Sequence, residues 1–282
     1  MNCYLCNSNS FAVRKGTVRD NPKIKILECN DCGLVTLSSN KHIQDGFYEH
    51  SKMHGDTLTP MDIWIKNSYS DDMRHFNNLK PFLKNKKLLD FGCGAGGFLN
   101  QAKQVTSLAE GLELELRVKE YWSDSINIYQ KLGLVDHQYD LITAFHVVEH
   151  LIDPIATLRM LSKKLLKNGR IVIEVPCSED ILLTLYDSKS FQSFTYWSQH
   201  LFLFNIDTLQ SLIKKAHLKV ISIEQYQRYP LSNHLYWLSH GKPGGHKQWN
   251  FLDSPDLQKA YSDSLAKIGK SDTIIAHITL EN

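Results

Sequence analysis

The 282-residue sequence lacks long hydrophobic runs, internal repeats, low-complexity tracts and a strong excess of either charge. No apolar stretch approaches the roughly 18 residues that a membrane-spanning helix needs, so we expect no membrane span. The formal net charge is only +2, which disfavours nucleic acid as a partner. The N-terminus, Met-Asn-Cys-Tyr-Leu-Cys, lacks the basic and apolar regions of a secretory signal. We therefore expect a cytoplasmic protein.

Four of the six cysteines form two closely spaced pairs near the N-terminus, Cys3-x-x-Cys6 and Cys29-x-x-Cys32. The two-residue spacing lets both sulfurs of a pair face one ion, and two such pairs are typical of a zinc ribbon. Disulfides are the main alternative, disfavoured by the missing export signal. Four thiolates fill every coordination position, so we predict a structural Zn²⁺.

A glycine-rich turn follows the first apolar strand of the main domain. The string Leu-Leu-Asp-Phe-Gly-Cys-Gly-Ala-Gly-Gly-Phe-Leu begins at Leu88 and predicts a buried strand, a tight turn and a helix start. Gly92, Gly94 and Gly97 also fit the G-x-G-x-x-G spacing of a dinucleotide site, so the glycines alone do not identify the ligand. Asp90 favours a cationic group over a pyrophosphate, because a carboxylate repels an anion.

The string D-F-G-C-G-A-G-G resembles the first motif of class I S-adenosylmethionine-dependent methyltransferases. A second acid, Glu113 in Gly-Leu-Glu, matches the family pattern at the tip of the next strand, where it can accept hydrogen bonds from ribose hydroxyls. Glu110 and Glu115 are nearby alternatives. The predicted residues that bind S-adenosyl-L-methionine are Asp90, Phe91, Gly92, Cys93, Gly94, Gly96, Glu113, Leu114 and His146.

From residue 87 onward, apolar segments alternate in the rhythm of strands and helices. The resemblance implies an α/β fold, a Rossmann-like seven-stranded sheet preceded by a small Cys₄ zinc ribbon, with the last strand inserted antiparallel between strands five and six. The predicted strands are residues 88–91, 107–113, 126–129, 139–144, 170–176, 219–224 and 273–280. We also predict a helix over 157–166, capped at Gly169.

The fourth strand runs into the sequence His-Val-Val-Glu-His at residues 146–150, which also resembles class I methyltransferases. Residues just past this strand face the ligand at the switch point of the sheet, so His146 is placed near cofactor or acceptor. His146 and His150 with Glu149 superficially resemble a zincin helix, but the order differs from H-E-x-x-H and no third ligand is evident. Packing, helix capping or acid–base roles are therefore favoured over metal binding.

The segment 191–205 is rich in aromatic residues and contains His200. It resembles the acceptor side of glycan and small-molecule methyltransferases. We predict His200 as the general base, with His150, His146 and Tyr196 as alternative catalytic residues, while a structural role of a histidine in an aromatic wall is the competing interpretation.

Three regions are predicted: a zinc ribbon over residues 1–40, a helical connector covering the cleft over 41–86, and a methyltransferase domain over 87–282. An insertion at about 231–270 separates the last two strands, and we expect it to bind the acceptor or form oligomer contacts. Tyr48 and His54 of the connector are candidates to reach a ligand, although aromatic packing is favoured. The sequence leaves a homo-oligomer open.

The resemblance implies transfer of a methyl group to a sugar hydroxyl in bacterial surface-polysaccharide (O-antigen or capsule) biosynthesis, because a zinc ribbon, the His-x-x-Glu-His run and an aromatic segment occur together there. The expected partner is a sugar or glycan acceptor. C-methylation of a nucleotide-linked keto-sugar is one alternative, and the missing C-terminal domain of that group favours O-methylation. A ribosomal or transfer RNA methyltransferase is another, and a non-catalytic cofactor-binding protein is a third.

Overall fold

The computed structural model describes residues 1–44, 46–49 and 58–281. Its strands are β1 (Phe11–Val13), β2 (Ile26–Cys29), β3 (Val35–Leu37), β4 (Lys87–Phe91), β5 (Leu108–Leu112), β6 (Asn127–Tyr129), β7 (Tyr139–Phe145), β8 (Leu165–Pro176), β9 (Phe202–Leu203), β10 (Leu218–Tyr226) and β11 (Thr273–Leu280). Its helices are α1 (Met61–Leu83), α2 (Gly97–Ala102), α3 (Leu116–Trp122), α4 (Pro154–Ser162), α5 (Lys189–Thr195), α6 (Ile206–Lys215), α7 (Leu231–His240), α8 (Gly245–Gln248) and α9 (Pro255–Lys267). Within these ranges, we find no helix whose length and hydrophobicity would let it cross a bilayer. His54 lies outside the described residues.

A seven-stranded sheet in the order β10-β11-β8-β7-β4-β5-β6 forms the centre of the main domain. Strands β4 to β8 pair in parallel, and β11 runs antiparallel between β8 and β10. The central strand β4 is buried from Leu88 to Phe91, as expected for a parallel strand covered on both faces. The predicted Rossmann-like seven-stranded fold is therefore confirmed.

The carboxyl ends of β4, β5 and β7 meet at one edge of the sheet. Because parallel strands present their carboxyl ends together, the loops after Phe91, Leu112 and Phe145 face a common crevice. The long helix α1 packs against α2 beside this crevice and buries His75, Leu79 and Leu83. The sheet thus brings the predicted glycine turn, Glu113 and His146 to the same side of the domain.

The strands of the cysteine-bearing segment do not form a sheet of their own. Its sheet has the order β1-β2-β3-β9, and β9 comes from the aromatic segment far along the chain. Val35 pairs with Leu203 and Thr36 with Phe202. Buried residues of both regions belong to one hydrophobic cluster, among them Cys3 and Ile26 of the cysteine-bearing segment and Ile173 and Ile278 of the main sheet. The N-terminal module and the main domain therefore share a core, which the sequence did not predict.

The largest departure from the predicted elements lies between β7 and β8. The predicted helix over 157–166 instead spans Pro154–Ser162, capped by the Asp153 side chain, which accepts from Ala156 N. The following leucines join the sheet, with Leu165 pairing with Tyr139. Gly169 therefore lies inside β8 rather than capping a helix, because sheet pairing outweighs the local cap signal.

Candidate functional site

The glycine turn after β4 adopts backbone conformations that require glycine. Gly92, Gly94 and Gly96 have φ angles of +73°, +52° and +78°, in the left-handed region that side chains disfavour. A Cβ at Gly92 would lie 2.4 Å from Val147 Cγ2. The turn is thus tight and closely packed, and its backbone can approach a ligand.

Glu113, at the tip of β5, links that strand to the glycine turn. Its Oε2 accepts a hydrogen bond from Gly94 N at 3.0 Å, and its Oε1 accepts from Leu114 N at 2.7 Å and Glu115 N at 3.1 Å. A carboxylate offers about four acceptor positions, so capacity is left for a ligand hydroxyl. Three backbone donors thus fix the orientation of the carboxylate.

A cavity of about 240 Å³ lies over the glycine turn. We call it the donor cavity. Six predicted cofactor residues are among those that line it: Phe91, Gly92, Gly94, Glu113, Leu114 and His146. The other predicted residues, Asp90, Cys93 and Gly96, are not among the described lining residues. Trp64 and Val147 also line the donor cavity. The sequence did not mark them as lining residues, because apolar wall residues carry no distinguishing motif.

Acidic groups surround the glycine turn. Burial, reinforced by Asp72 and Glu113, raises the pKa of Asp90 to about 7, although Thr143 Oγ1 donates to Asp90 Oδ1 at 2.7 Å. Burial likewise raises the pKa of Asp72 to about 6, although Ser68 Oγ donates to it at 2.7 Å. Burial raises the pKa of Glu113 as well. Mutually repelling acids favour a cationic ligand and disfavour a pyrophosphate.

A second cavity of about 320 Å³ adjoins the first, and His146 and His150 line both. We call it the acceptor cavity. One wall is aromatic: the ring of Trp237 lies 5.1 Å from that of Phe191 and 5.2 Å from that of Phe194. Asp180 and Asp272 also line it. Burial raises the pKa of both acids.

His146 is held in a left-handed conformation, with φ of +55°, which is rare and costly for a residue with a side chain. Its Nε2 lies 3.0 Å from Glu174 Oε1 and 2.8 Å from Arg228 Nη1. Burial and Arg228 act to lower the pKa of His146, but the neighbouring carboxylates of Glu149 and Glu174 outweigh them, and the net pKa is raised. The surrounding ion pairs thus fix His146 between the two cavities.

Glu149, His150 and His200 form a compact group, the Glu149 cluster, at the acceptor cavity. His150 Nδ1 lies 2.8 Å from Gln199 O, and His200 Nδ1 lies 2.9 Å from Thr195 O. Burial and the neighbouring His150 lower the pKa of His200 to about 4. Its imidazole is therefore neutral near pH 7, where so low a pKa makes it a weak proton acceptor.

Tyr196, the remaining predicted catalytic residue, lies elsewhere. Its ring packs against Gly16, where a Cβ would come within 2.6 Å of Tyr196 Cε2. Tyr196 is 2% exposed and is absent from the described lining of either cavity. The structure therefore brings His146, His150 and His200 together and separates Tyr196 from them.

A buried ionic network that sequence reasoning missed supports His146. Arg74 from α1 forms two hydrogen bonds to Glu174, at 2.9 and 2.7 Å. Arg228 bridges from His146 to Asp71, with Nη2 2.6 Å from Asp71 Oδ2. Hydrogen bonds from these cationic and imidazole groups hold the pKa of Glu174 well below its usual range, despite burial. The sequence signal that could have revealed this network is Glu174, an acid inside the apolar strand β8.

The four N-terminal cysteines are clustered, with all sulfurs within 4.8 Å of one another. Cys3 Sγ lies 3.5 Å from Cys32 Sγ, and Cys6 Sγ lies 3.5 Å from Cys29 Sγ. Sulfurs about 2.3 Å from one tetrahedral Zn²⁺ are separated by roughly 3.8 Å, so the arrangement fits a zinc ribbon. No disulfide joins these four cysteines.

The fold and the glycine turn define a class I S-adenosylmethionine-dependent methyltransferase. A family model described as a methyltransferase domain matches residues 67–223, more than half of the chain. The chain belongs to this methyltransferase family.

A curated relative is similar to part of the chain. A tRNA U34 carboxymethyltransferase from Sulfurovum sp. (strain NBC37-1) is 27% identical over 127 residues, covering 40% of this chain and 42% of that protein. The match thus spans about two fifths of that relative.

Two solved structures share the fold. A chain in the complex between the Haloferax volcanii Trm112 methyltransferase activator and a methyltransferase has a TM-score of 0.52 at 12% identity, covering 80% of this chain and 100% of that chain. A SAM-dependent methyltransferase from Thermotoga maritima has a TM-score of 0.51 at 14% identity, covering 78% and 94%. At such identities the likeness shows the fold alone.

Proposed function

We propose that this enzyme transfers the methyl group of S-adenosylmethionine to a hydroxyl of a sugar or glycan in surface-polysaccharide biosynthesis. One observation carries the proposal: the donor cavity meets an aromatic-walled second cavity at His146 and His150. The faces of Phe191 and Trp237 suit the apolar C–H faces of a sugar ring. Asp180 in the same cavity accepts one side-chain hydrogen bond, from Leu182 N, and has capacity left for a sugar hydroxyl.

The residues of the donor cavity fit the cofactor. Glu113 would hold the ribose hydroxyls, and the carboxyl groups of Asp72 and Asp90 favour the cationic methionine end. Trp64 and Leu114 offer apolar surface to the adenine. When bound there, the cofactor supplies an electrophilic methyl group. The chain contributes chiefly by holding donor and acceptor in line, which converts a bimolecular reaction into an intramolecular one.

The proton of the acceptor hydroxyl must leave as its oxygen is methylated. We assign its removal to the Glu149 cluster. Because Nδ1 of His150 and of His200 each face a backbone carbonyl, these nitrogens carry the hydrogen and each Nε2 keeps its lone pair. His146 Nε2 is occupied by contacts to Arg228 and Glu174, so His146 positions the site instead.

The experiment is a turnover assay with a panel of sugars, nucleotide sugars and lipid-linked glycans, with the methylated product identified by mass spectrometry and NMR. We expect an O-methyl ether. A methyl group on carbon would replace the proposal with keto-sugar C-methylation. Comparing the mass and composition of surface glycan from cells with active protein and cells with an inactive variant tests the pathway, and identical glycans would contradict it.

A second candidate rests on the Sulfurovum relative, whose name gives tRNA as its substrate. If this chain methylates tRNA, its affinity for tRNA should fall steeply as salt increases, because phosphate contacts release counterions. Filter binding at several salt concentrations measures this slope. No tRNA binding at low salt would remove this candidate.

A further inference from the structure

We propose that Glu149, His150 and His200 bind one divalent transition-metal ion, Zn²⁺ by preference, separate from the cysteine site. A ring nitrogen of each histidine and a carboxylate oxygen of Glu149 lie within 4.8 Å of one another. The histidine rings are 5.0 Å apart, centre to centre. The inference deepens the proposed function and rests on it for the role of the metal.

The hydrogen bonds of both histidines prepare them as ligands. Gln199 O lies 2.8 Å from His150 Nδ1, and Thr195 O lies 2.9 Å from His200 Nδ1. Metal-binding histidines almost always donate their other ring N–H to a carbonyl or carboxylate, which fixes the ring and the tautomer. Here that contact leaves the Nε2 lone pair of each ring available to a ligand.

Glu149 provides the observation that points to a cation. Its side chain has no exposed surface, and neither carboxylate oxygen has a hydrogen-bond partner among the described residues. Its ion-pair contact is with His146 Nδ1, at 3.4 Å from Oε1. Burying a carboxylate without hydrogen bonds is costly, and a bound cation would offset that cost.

The separations suit a metal after a small contraction. Two ligand atoms about 2.1 Å from a tetrahedral ion lie roughly 3.4 Å apart. The ligand atoms of the Glu149 cluster lie within 4.8 Å of one another, so the most distant pair must approach by at most about 1.4 Å. Two imidazoles and one carboxylate are a ligand set typical of catalytic zinc, which keeps a fourth position open. That position would face the acceptor cavity, since all three residues line it.

The fourth position would take the acceptor oxygen in the proposed reaction. Binding to the ion would lower the pKa of the hydroxyl, so that its O–H bond could break and the proton pass to solvent water. With S-adenosylmethionine in the donor cavity, the oxygen would form a C–O bond with the methyl carbon as the C–S bond breaks, and the electron pair of that bond would stay on the sulfur. In this arrangement the Glu149 cluster would assist proton removal by holding the ion, and water would accept the proton.

The test uses the full-length protein, stripped of weakly bound metal by dialysis against a mild chelator and then titrated with Zn²⁺ or Co²⁺. Elemental analysis counts ions per chain, and the Co²⁺ spectrum separates the sites, because only the cysteine site gives sulfur-to-metal charge-transfer bands. We expect the wild type to bind one ion more than Glu149→Gln or His200→Ala. Glu120→Gln and His240→Ala, which change exposed residues, are matched controls and should keep the extra ion.

Thermal unfolding without added metal checks that each variant folds. Zn²⁺ should raise the Tm of the wild type and both controls by several degrees beyond any shift in Glu149→Gln. Equal stoichiometry in wild type and Glu149→Gln would overturn the inference, as would ions that bind weakly and with no change in the Co²⁺ spectrum. These readings need no acceptor, so an extra ion without methylation of any sugar would contradict the proposed function and leave the metal site standing.

Discussion

Asp90 shows at the scale of a single residue how the fold prepares the donor cavity. The sequence places this acid next to the glycine turn, and the structure buries its side chain, to which Thr143 Oγ1 donates a hydrogen bond. A carboxyl group there is costly to ionise without a nearby cation. Its charge therefore acts on the ligand at a distance rather than by lining the cavity.

Replacing Asp90 by Asn should change how stability depends on pH. Burial raises the pKa of Asp90 to about 7 in the folded protein, so its protonated form stabilises the fold below about pH 4 and this contribution is lost as the pH rises to 7. We expect the free energy of unfolding of Asp90→Asn, relative to wild type, to increase by on the order of 2 kcal/mol between pH 5 and 7.5. Urea unfolding of ligand-free protein at both pH values measures it.

The control for this experiment is Asp124→Asn, which changes an exposed acid. Its stability relative to wild type should stay the same at the two pH values. If Asp90→Asn behaved like this control, the buried acid would not be ionising with a raised pKa.

His200→Ala should lower turnover by at least about 100-fold, the usual contribution of a group that assists proton removal. The Kd for S-adenosylmethionine should change little, because His200 lines the acceptor cavity and not the described part of the donor cavity. Single-turnover kinetics and calorimetry with the same preparation measure both quantities. His240→Ala is the matched control, and an unchanged rate in His200→Ala would remove His200 from the chemistry.

Residues carried by motifs could be predicted from the sequence, and residues brought in by tertiary packing could not. The positions of Gly92 and Glu113 followed from spacing along one strand–turn–helix–strand unit. Asp71, Arg74 and Arg228 come from helix α1 and from the end of β10. No local pattern marks such partners, because the ion pairs exist only after these elements pack together.

At the scale of elements, β9 connects the cysteine module to the segment that carries His200. Two residues of the aromatic segment extend the N-terminal sheet beside β3. The sequence did not predict this strand, because a two-residue pairing has no periodicity and is defined by its partner. The inserted strand β11 was predicted, since its alternation over Thr273–Leu280 is long enough to see.

Removing zinc from the cysteine cluster should loosen β2, β3 and β9 together. The cluster tethers β2 through Cys29, and β3 holds β9 by backbone pairing. Hydrogen exchange followed by mass spectrometry should show faster exchange over residues 26–37 and 201–204 after chelation, with β4 and β7 still protected. If exchange became faster in only one of these two segments, the coupling between β3 and β9 would be contradicted.

The variant Cys6→Ser isolates the cysteine site from any ion at the Glu149 cluster. We expect it to show the fast exchange without a chelator, since three thiolates bind zinc more weakly than four. Adding a chelator should then change the exchange rate of this variant little over residues 26–37. A Cys6→Ser protein as protected as the wild type would argue that zinc does not hold this sheet.

At the scale of the whole molecule, one continuous core joins the N-terminal module to the main sheet. Ligand binding should therefore stabilise the molecule as a unit. A ligand that binds only the folded state at 100 times its Kd adds about 2.7 kcal/mol, which is roughly 5 °C in Tm or more for a chain of this size. We expect S-adenosylmethionine and its demethylated product to produce this shift in differential scanning calorimetry.

A nicotinamide dinucleotide should give no such shift, because the acids around the glycine turn repel its pyrophosphate. Gly92→Ala is the matched variant: its added Cβ would meet Val147 at 2.4 Å and its φ of +73° is unfavourable for alanine. It should lose most of the shift with S-adenosylmethionine. A clear shift with the nicotinamide and none with either sulfur compound would show that the acids do not select the ligand's charge, and the assignment of donor and acceptor cavities would have to be abandoned.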